Sequence, residues 1–205
     1  MLNPNFGFDL GLNYISNRYS GKSLFNFSST GLFSNPASSI ASTMFQINPS
    51  SVFTTQFQNF KPYARFGLLI GFGTITTGSD ARTYDSINSQ QHVNIHTVWK
   101  YSGSASIGFN TVLGIAYPIN PKMDIYTEGC LNTIYFIPNN ADVTAQTYDG
   151  VDNLHNLYTI QKSKVFKDSY SLNYVNSNPN EPETDSPIKF AFNAFVINIG
   201  VKYWF

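Results

Sequence analysis

Residues 195–205 read FVINIGVKYWF. Successive side chains of a β-strand point to opposite faces. Phe195, Ile197, Ile199, Val201, Tyr203 and Phe205 then share one face, and Val196, Asn198, Gly200, Lys202 and Trp204 share the other. One face is apolar without a gap. What that face touches decides the architecture of the whole chain.

Composition narrows the choice. Charged residues make up 12% of the 205 residues, about half the usual share of a globular protein. Aromatics are abundant, with 18 Phe and 13 Tyr. The formal net charge is zero, so there is no basic field for nucleic acid. No run approaches the roughly 18 apolar residues of a spanning helix. Few charges, many aromatics and no apolar run suit a sheet with one face in lipid and the other in water. Cys130 is the only cysteine, so no internal disulfide forms. The opening MLNPNFGFDL lacks the basic and apolar regions of a signal peptide.

Period-two alternation recurs along the chain and helical periodicity is almost absent. Phe6, Phe8, Leu10, Leu12 and Tyr14 face one way, against Gly7, Asp9, Gly11 and Asn13. Ala64, Phe66, Leu68, Ile70 and Phe72 oppose Tyr63, Arg65, Gly67, Leu69 and Gly71. Residues 103–119 and 123–137 repeat the pattern. The reading gives six strands, 6–15, 52–60, 63–75, 103–119, 123–137 and 188–205, of which 52–60 has no assignable faces. Short turns fall at Leu2-Asn3-Pro4-Asn5, Lys61-Pro62 and Asn120-Pro121-Lys122, and long polar segments at 16–51, 76–102 and 138–187. Long and short connections alternate. In an up-and-down sheet all short ones then lie at one end, the asymmetry of an outer-membrane barrel with short periplasmic turns and long external loops.

Glycine and serine dominate the non-apolar face of 63–75 and 103–119, which suits a narrow interior. The alternative is a soluble barrel or sandwich with the apolar face inside. Its solvent face would be richer in Lys and Glu. The expected fold is therefore all-β, one antiparallel up-and-down transmembrane β-barrel over residues 1–205.

The stretches NPNFGFDLGLNY, KPYARFGLLIGFG, SIGFNTVLGIAYPINPKMDIYTEG and INIGVKYWF resemble the outer-membrane β-barrel domain proteins of Bacteroidota. The resemblance covers most strand segments and little of the loops. It implies a barrel of about eight strands in the outer membrane, with its C-terminus at the periplasmic side. It also implies that a signal peptide and a first hairpin precede Met1. Alternatively, the loops hold the missing pair, at Ser23–Phe33 and Leu157–Phe166. Ile197, Ile199, Val201, Tyr203 and Phe205 look like the C-terminal β-signal read by the barrel-assembly machinery, and they form the lipid face of the last strand. Trp99 and Tyr101 fit an external aromatic girdle.

Asp9, Arg65, Asp124, Glu128 and Lys202 fall on the interior face. Opposite charges in a narrow barrel satisfy one another where water is scarce. They read as a structural network across the barrel floor, with a proton or ion path as the functional alternative. His92 and His96, four apart in QQHVNIH, read as solvated loop histidines rather than metal ligands. Asp149, Gly150 and Asp152 hint at a calcium turn but lack the twelve-residue EF-hand pattern. Asp149, Asp152 and His155 lack any nucleophile motif. No catalytic, cofactor or metal site is expected. The functional expectation is a non-enzymatic structural or surface-interaction protein with a closed lumen. A small-solute pore and an outer-membrane lipid hydrolase are the alternatives. Expected partners are outer-membrane lipid, the assembly machinery and an unidentified surface ligand or envelope protein, with no nucleic acid.

Overall fold

The computed structural model describes residues 5–22, 37–57, 59–84, 92–167 and 178–203. It is nearly all β. In chain order the strands are β1 (Phe6–Lys22), β2 (Ala37–Thr54), β3 (Lys61–Tyr84), β4 (His92–Ser102), β5 (Ser106–Asn120), β6 (Met123–Phe136), β7 (Asn140–Tyr148) and β8 (Val151–Asp152). A 3-10 turn (Leu154–Asn156) and the four-residue helix α1 (Thr159–Lys162) precede β9 (Ser163–Phe166), β10 (Glu183–Asp185), β11 (Phe190–Ala191) and β12 (Ala194–Tyr203). They form one 12-stranded sheet in which only β9 and β10 pair in parallel.

The architecture is simpler than twelve labels suggest. β3 pairs with β2 on one side. On its other side β5 flanks Lys61–Gly71 and β4 flanks Thr74–Tyr84. Both run antiparallel to β3, so β4 and β5 are one strand broken at Gly103–Ala105. β6 and β7 are likewise one strand broken at Ile137–Asn139. The two breaks lie side by side: pairing lapses between Ser102↔Asn140 and Gly108↔Ile134. Pro138 has no N–H to give a ladder, and Gly103 packs tightly onto the Ile137 carbonyl. Below the break lies a meander, β1-β2-β3-β5-β6-β12. Above it, β3, β4, β7 and β9 continue as an extension.

Facing follows the alternation. Met44, Gln46, Ser50, Leu69, Val112, Asp124, Glu128 and Ile134 are buried on one face. Phe8, Leu12, Phe66, Phe72, Leu113, Leu131 and Ile197 are exposed on the other. Cross-strand register aligns the outward apolar rows at 6–14, 45–53, 64–72, 107–117, 125–135 and 195–203. Each row is about ten residues long, the length a tilted strand needs to cross a hydrocarbon core. The sheet curls toward its buried face. Arg65 bonds both Asp9 on β1 and Glu128 on β6. A flat sheet would set those strands about 19 Å apart, at about 4.8 Å per spacing. The main hydrophobic cluster, Met44, Leu69, Ile75, Ile134, Phe136 and Phe192, fills the buried face at the level of the breaks.

Several boundaries depart from the sequence reading. The strand expected at 52–60 is the end of β2, which starts at Ala37. Met44 shares its inner face with Gln46, Asn48 and Ser50, which blurs the contrast, and Pro49 interrupts pairing with β3 at Asn48 and Pro49. The segments read as loops 16–51, 76–102 and 138–187 contain long strand extensions and β7 to β10. The extensions of β1 and β2 are rich in Ser and other polar residues, so no apolar alternation marks them. Leu157–Phe166 holds α1 and β9 rather than a spanning strand. Ser23–Phe33 and Phe205 lie outside the described residues. Tyr148-Asp149-Gly150-Val151 is a tight hairpin with positive φ at Asp149 (46°) and Gly150 (82°), the two-residue turn that matches strand twist.

Glycine works at one close approach above all. Gly114 pairs with Tyr63 across β3 and β5, and the tyrosine ring lies where a Cβ would stand. Gly129 faces outward, with only the Phe195 ring at 3.7 Å from its would-be Cβ. Gly114→Val should therefore cost about 1–3 kcal/mol through overpacking, while Gly129→Val stays within about 0.5 kcal/mol. Urea unfolding of the refolded chain would read the difference, and equal losses would overturn the assigned faces.

Candidate functional site

The buried face of the meander carries an ion network. It begins with a shortage of neighbours: Arg65 on β3 lies opposite Val52 on β2 and Val112 on β5. No polar group stands directly opposite, so its apolar stem rests between valines and its head reaches the next strands. Nη1 donates to Asp9 Oδ2 at 2.8 Å and Nη2 to Glu128 Oε2 at 2.7 Å and Oε1 at 2.8 Å. Glu128 is 7% exposed and Asp9 44%, so the inner arm is the stronger one.

Glu128 collects more donors. Tyr63 Oη donates to its Oε2 at 2.7 Å and Asn198 Nδ2 to its Oε1 at 3.2 Å. Register explains the reach: Tyr63, Gly114, Glu128 and Asn198 form one cross-strand row over β3, β5, β6 and β12. The glycine lets the tyrosine lie flat across β5 and touch β6. Tyr126 covers Gly200 in the same way. Such pairing restores the packing a strand glycine gives up.

A second ion pair sits toward the short turns. Lys61 Nζ lies 3.3 Å from Asp124, which is almost fully buried. Lys202 stands opposite Asp124 in the β6–β12 register. Of the five charges expected to cluster, Asp9, Arg65 and Glu128 form one bonded group, Asp124 pairs with Lys61, and Lys202 stands level with Asp124 by register. Lys61, Tyr63 and Asn198 join the network without having been singled out from sequence. Lys61 reads as part of a turn, and the roles of Tyr63 and Asn198 follow from register alone. Ile197, Ile199, Val201 and Tyr203 are all exposed on the outer face.

Between the network and the hydrophobic cluster lies a layer of uncharged polar groups. Asn110 Nδ2 donates to Asn132 Oδ1 at 2.6 Å and lies 3.0 Å from Cys130 Sγ. Gln46 and Asn48 are buried beside them. Arg65, Lys61 and Lys202 balance Asp9, Glu128 and Asp124 in number. Carboxylates so committed to partners tie β1, β3, β6 and β12 together.

The extension has its own polar cluster. Lys164 on β9 bonds Glu183 Oε2 at 2.8 Å and Asp185 Oδ2 at 3.4 Å on β10, and sits 5.7 Å from the Trp99 ring centre. Tyr101 packs on Phe166 and Phe190. Trp99 and Tyr101, expected in an external girdle, thus brace the extension and are half-buried. Burial lowers the Lys164 pKa, but the two carboxylates outweigh it and leave it above the ordinary lysine value. His96 Nδ1 lies 2.5 Å from Asp80 Oδ1 across β3 and β4, and the His92 side chain is outside the described residues. Asp149 accepts from the Asn94 backbone at 2.8 Å, and Asp152 caps the N–H of Leu154 at 2.9 Å. Among the described residues no three His, Cys, Asp or Glu side chains are grouped to hold a metal.

No family model, curated protein or solved structure matches this chain.

Two expectations follow from the electrostatics. Arg65→Met strands a buried carboxylate and should cost about 3–5 kcal/mol, whereas Asp9→Asn, at an exposed arm, costs less than about 1 kcal/mol. Adding Glu128→Gln to Arg65→Met should recover part of the loss in urea unfolding. No recovery would mean that the network does not hold the sheet. For Lys164, a raised folded pKa gives stability present below about pH 10.4 and lost above it. The thermal-stability gap between wild type and Lys164→Met should stay flat from about pH 6 to 9 and close above about pH 10.5.

Proposed function

We propose that this chain is a transmembrane β-barrel of a bacterial outer membrane, a non-enzymatic structural or surface-interaction protein with a filled lumen. The observation that carries the reading is the inverted facing of the sheet. Ile199 is 78% exposed and Ile107 71%, each within a largely apolar row, while Asp124, Glu128 and Gln46 are buried. A fully buried large apolar side chain is worth roughly 1.5–3 kcal/mol. Six rows left in water therefore forgo tens of kcal/mol, more than the roughly 5–15 kcal/mol net stability of a domain. An apolar solvent around the sheet removes that deficit.

The edges support closure. β1 and β12 pair only with β2 and β6 among the described strands. Lipid leaves no water for open backbone groups, so a spanning sheet must close. β1 and β12 run in opposite directions, which admits an even number of strands between them. Two more give eight, the size at which side chains fill the interior. The resemblance of the strand segments to Bacteroidota outer-membrane barrels points the same way. The ion network and the hydrophobic cluster favour a filled interior over a pore. The extension above the apolar rows is the part that faces the environment and any surface partner.

The test is heat-modifiable migration of the protein from isolated outer membranes, with planar-bilayer recording alongside. A shift on boiling and no discrete conductance steps are expected; recovery in the soluble fraction would sink the reading, and steps would favour a pore. In vesicles, Ile199→Lys should cost about 2–4 kcal/mol and Asn198→Lys much less. Equal penalties would contradict the facing.

A further inference from the structure

The side-by-side breaks in β4/β5 and β6/β7 leave a cleft on the outer face. Its volume is about 680 Å³, and Ala105, Ser106, Ile107, Tyr135, Ile137 and Lys189 line it. Ile107 opens the outward row of β5, and Tyr135 closes that of β6. The cleft thus marks the upper margin of the apolar band. Antiparallel pairing of Phe190 with Phe136 and Ala191 with Tyr135 sets Lys189 level with Ile137, on the outward side. Down that column the outward row continues through Phe195, Ile197, Ile199, Val201 and Tyr203. Lys189 is therefore the cation at the head of this apolar column. It is exposed, forms no ion pair among the described residues, and shares its cleft with no carboxylate.

We propose that this cleft binds a phosphate-bearing lipid of the surrounding leaflet. Its phosphate accepts from Lys189 Nζ, and its first acyl carbons lie against Ile107, Tyr135 and Ile137. The inference rests on the membrane reading above. Charge complementarity and position select this occupant. The Ile107, Tyr135 and Ile137 side of the cleft, continuous with the outward rows, suits an acyl chain, and a single ammonium at its top suits one anionic headgroup. A basic side chain at a membrane surface is worth about 1 kcal/mol toward anionic lipid, or about fivefold in occupancy.

The experiment is native mass spectrometry of the full chain released from vesicles, after gel migration has verified insertion. Phosphatidylglycerol is compared with diacylglycerol of identical chains. Wild type should retain phosphatidylglycerol over diacylglycerol. Lys189→Gln should lower that retention about fivefold, Lys189→Arg should preserve it, and Lys100→Gln, at an exposed lysine of β4, should leave it unchanged. Equal retention of both lipids, equal retention by Lys189→Gln and wild type, or a lipid-independent dimer would overturn the site while leaving the membrane reading intact. Displacement by millimolar inorganic phosphate with the acyl lipid still bound would overturn it too, by marking a free-anion site. Failure of wild type to insert would overturn both.

Discussion

The curl of the sheet depends on one guanidinium. Arg65 has only valines beside it on the neighbouring strands, and its charge must find partners two strands away on each side. Asp9 and Glu128 can both meet it only if the sheet bends around it. Glu128 then passes the connection to Asn198 on the opposite edge strand. A chain of three polar contacts thus links β1 to β12. The glycine at 114 is part of the same device, since it clears the path along which Tyr63 reaches Glu128. Buried ion groups of this kind add less to stability than their number suggests, because each charge must first leave water. Their value here is geometric: they specify curvature, and they do so only when every arm is occupied.

Above the network the interior changes character in layers. The ionic layer gives way to amides, and the amides to Met44, Leu69, Ile134 and Phe136. The long segment after β7 returns to complete the last layer, bringing Phe190 and Phe192 down onto it. Within 138–187 itself, Phe166 packs on Tyr101, so that segment is not a simple solvated loop. Acidic side chains in that segment order it locally: Asp142 accepts from Ser163, Asp152 caps a turn, and Glu183 and Asp185 hold Lys164.

Facing was legible in the sequence wherever an apolar row met a polar or small one without interruption, as in β1, β3, β5, β6 and β12. The interior charges followed from the same parity. β2 was illegible because Met44 puts an apolar side chain on the polar face and Pro49 sits in the middle of the strand. The signal for β4 is present, with Val93, Ile95, Trp99 and Tyr101 alternating, but it lies inside a stretch that composition marks as a connection. Partners across strands were out of reach. Parity states which way Arg65 points; only register states that Asp9, Glu128 and, through Gly114, Tyr63 belong to one group.

The strands are longer than the apolar rows they carry. β1 has 17 residues and β3 has 24, against about ten to cross a bilayer core. On β1 the outward row turns from Phe8, Leu10, Leu12 and Tyr14 to Ser16, Arg18 and Ser20 within one strand. The ladder continues without a break from one regime to the other, because backbone pairing does not depend on what the side chains touch. β4/β5 and β6/β7 behave differently, each interrupted where the regime changes. The sheet is thus continuous along β1, β2 and β3 and interrupted along β4/β5 and β6/β7, so its ladder carries the change of side-chain character on one side and gives way at it on the other.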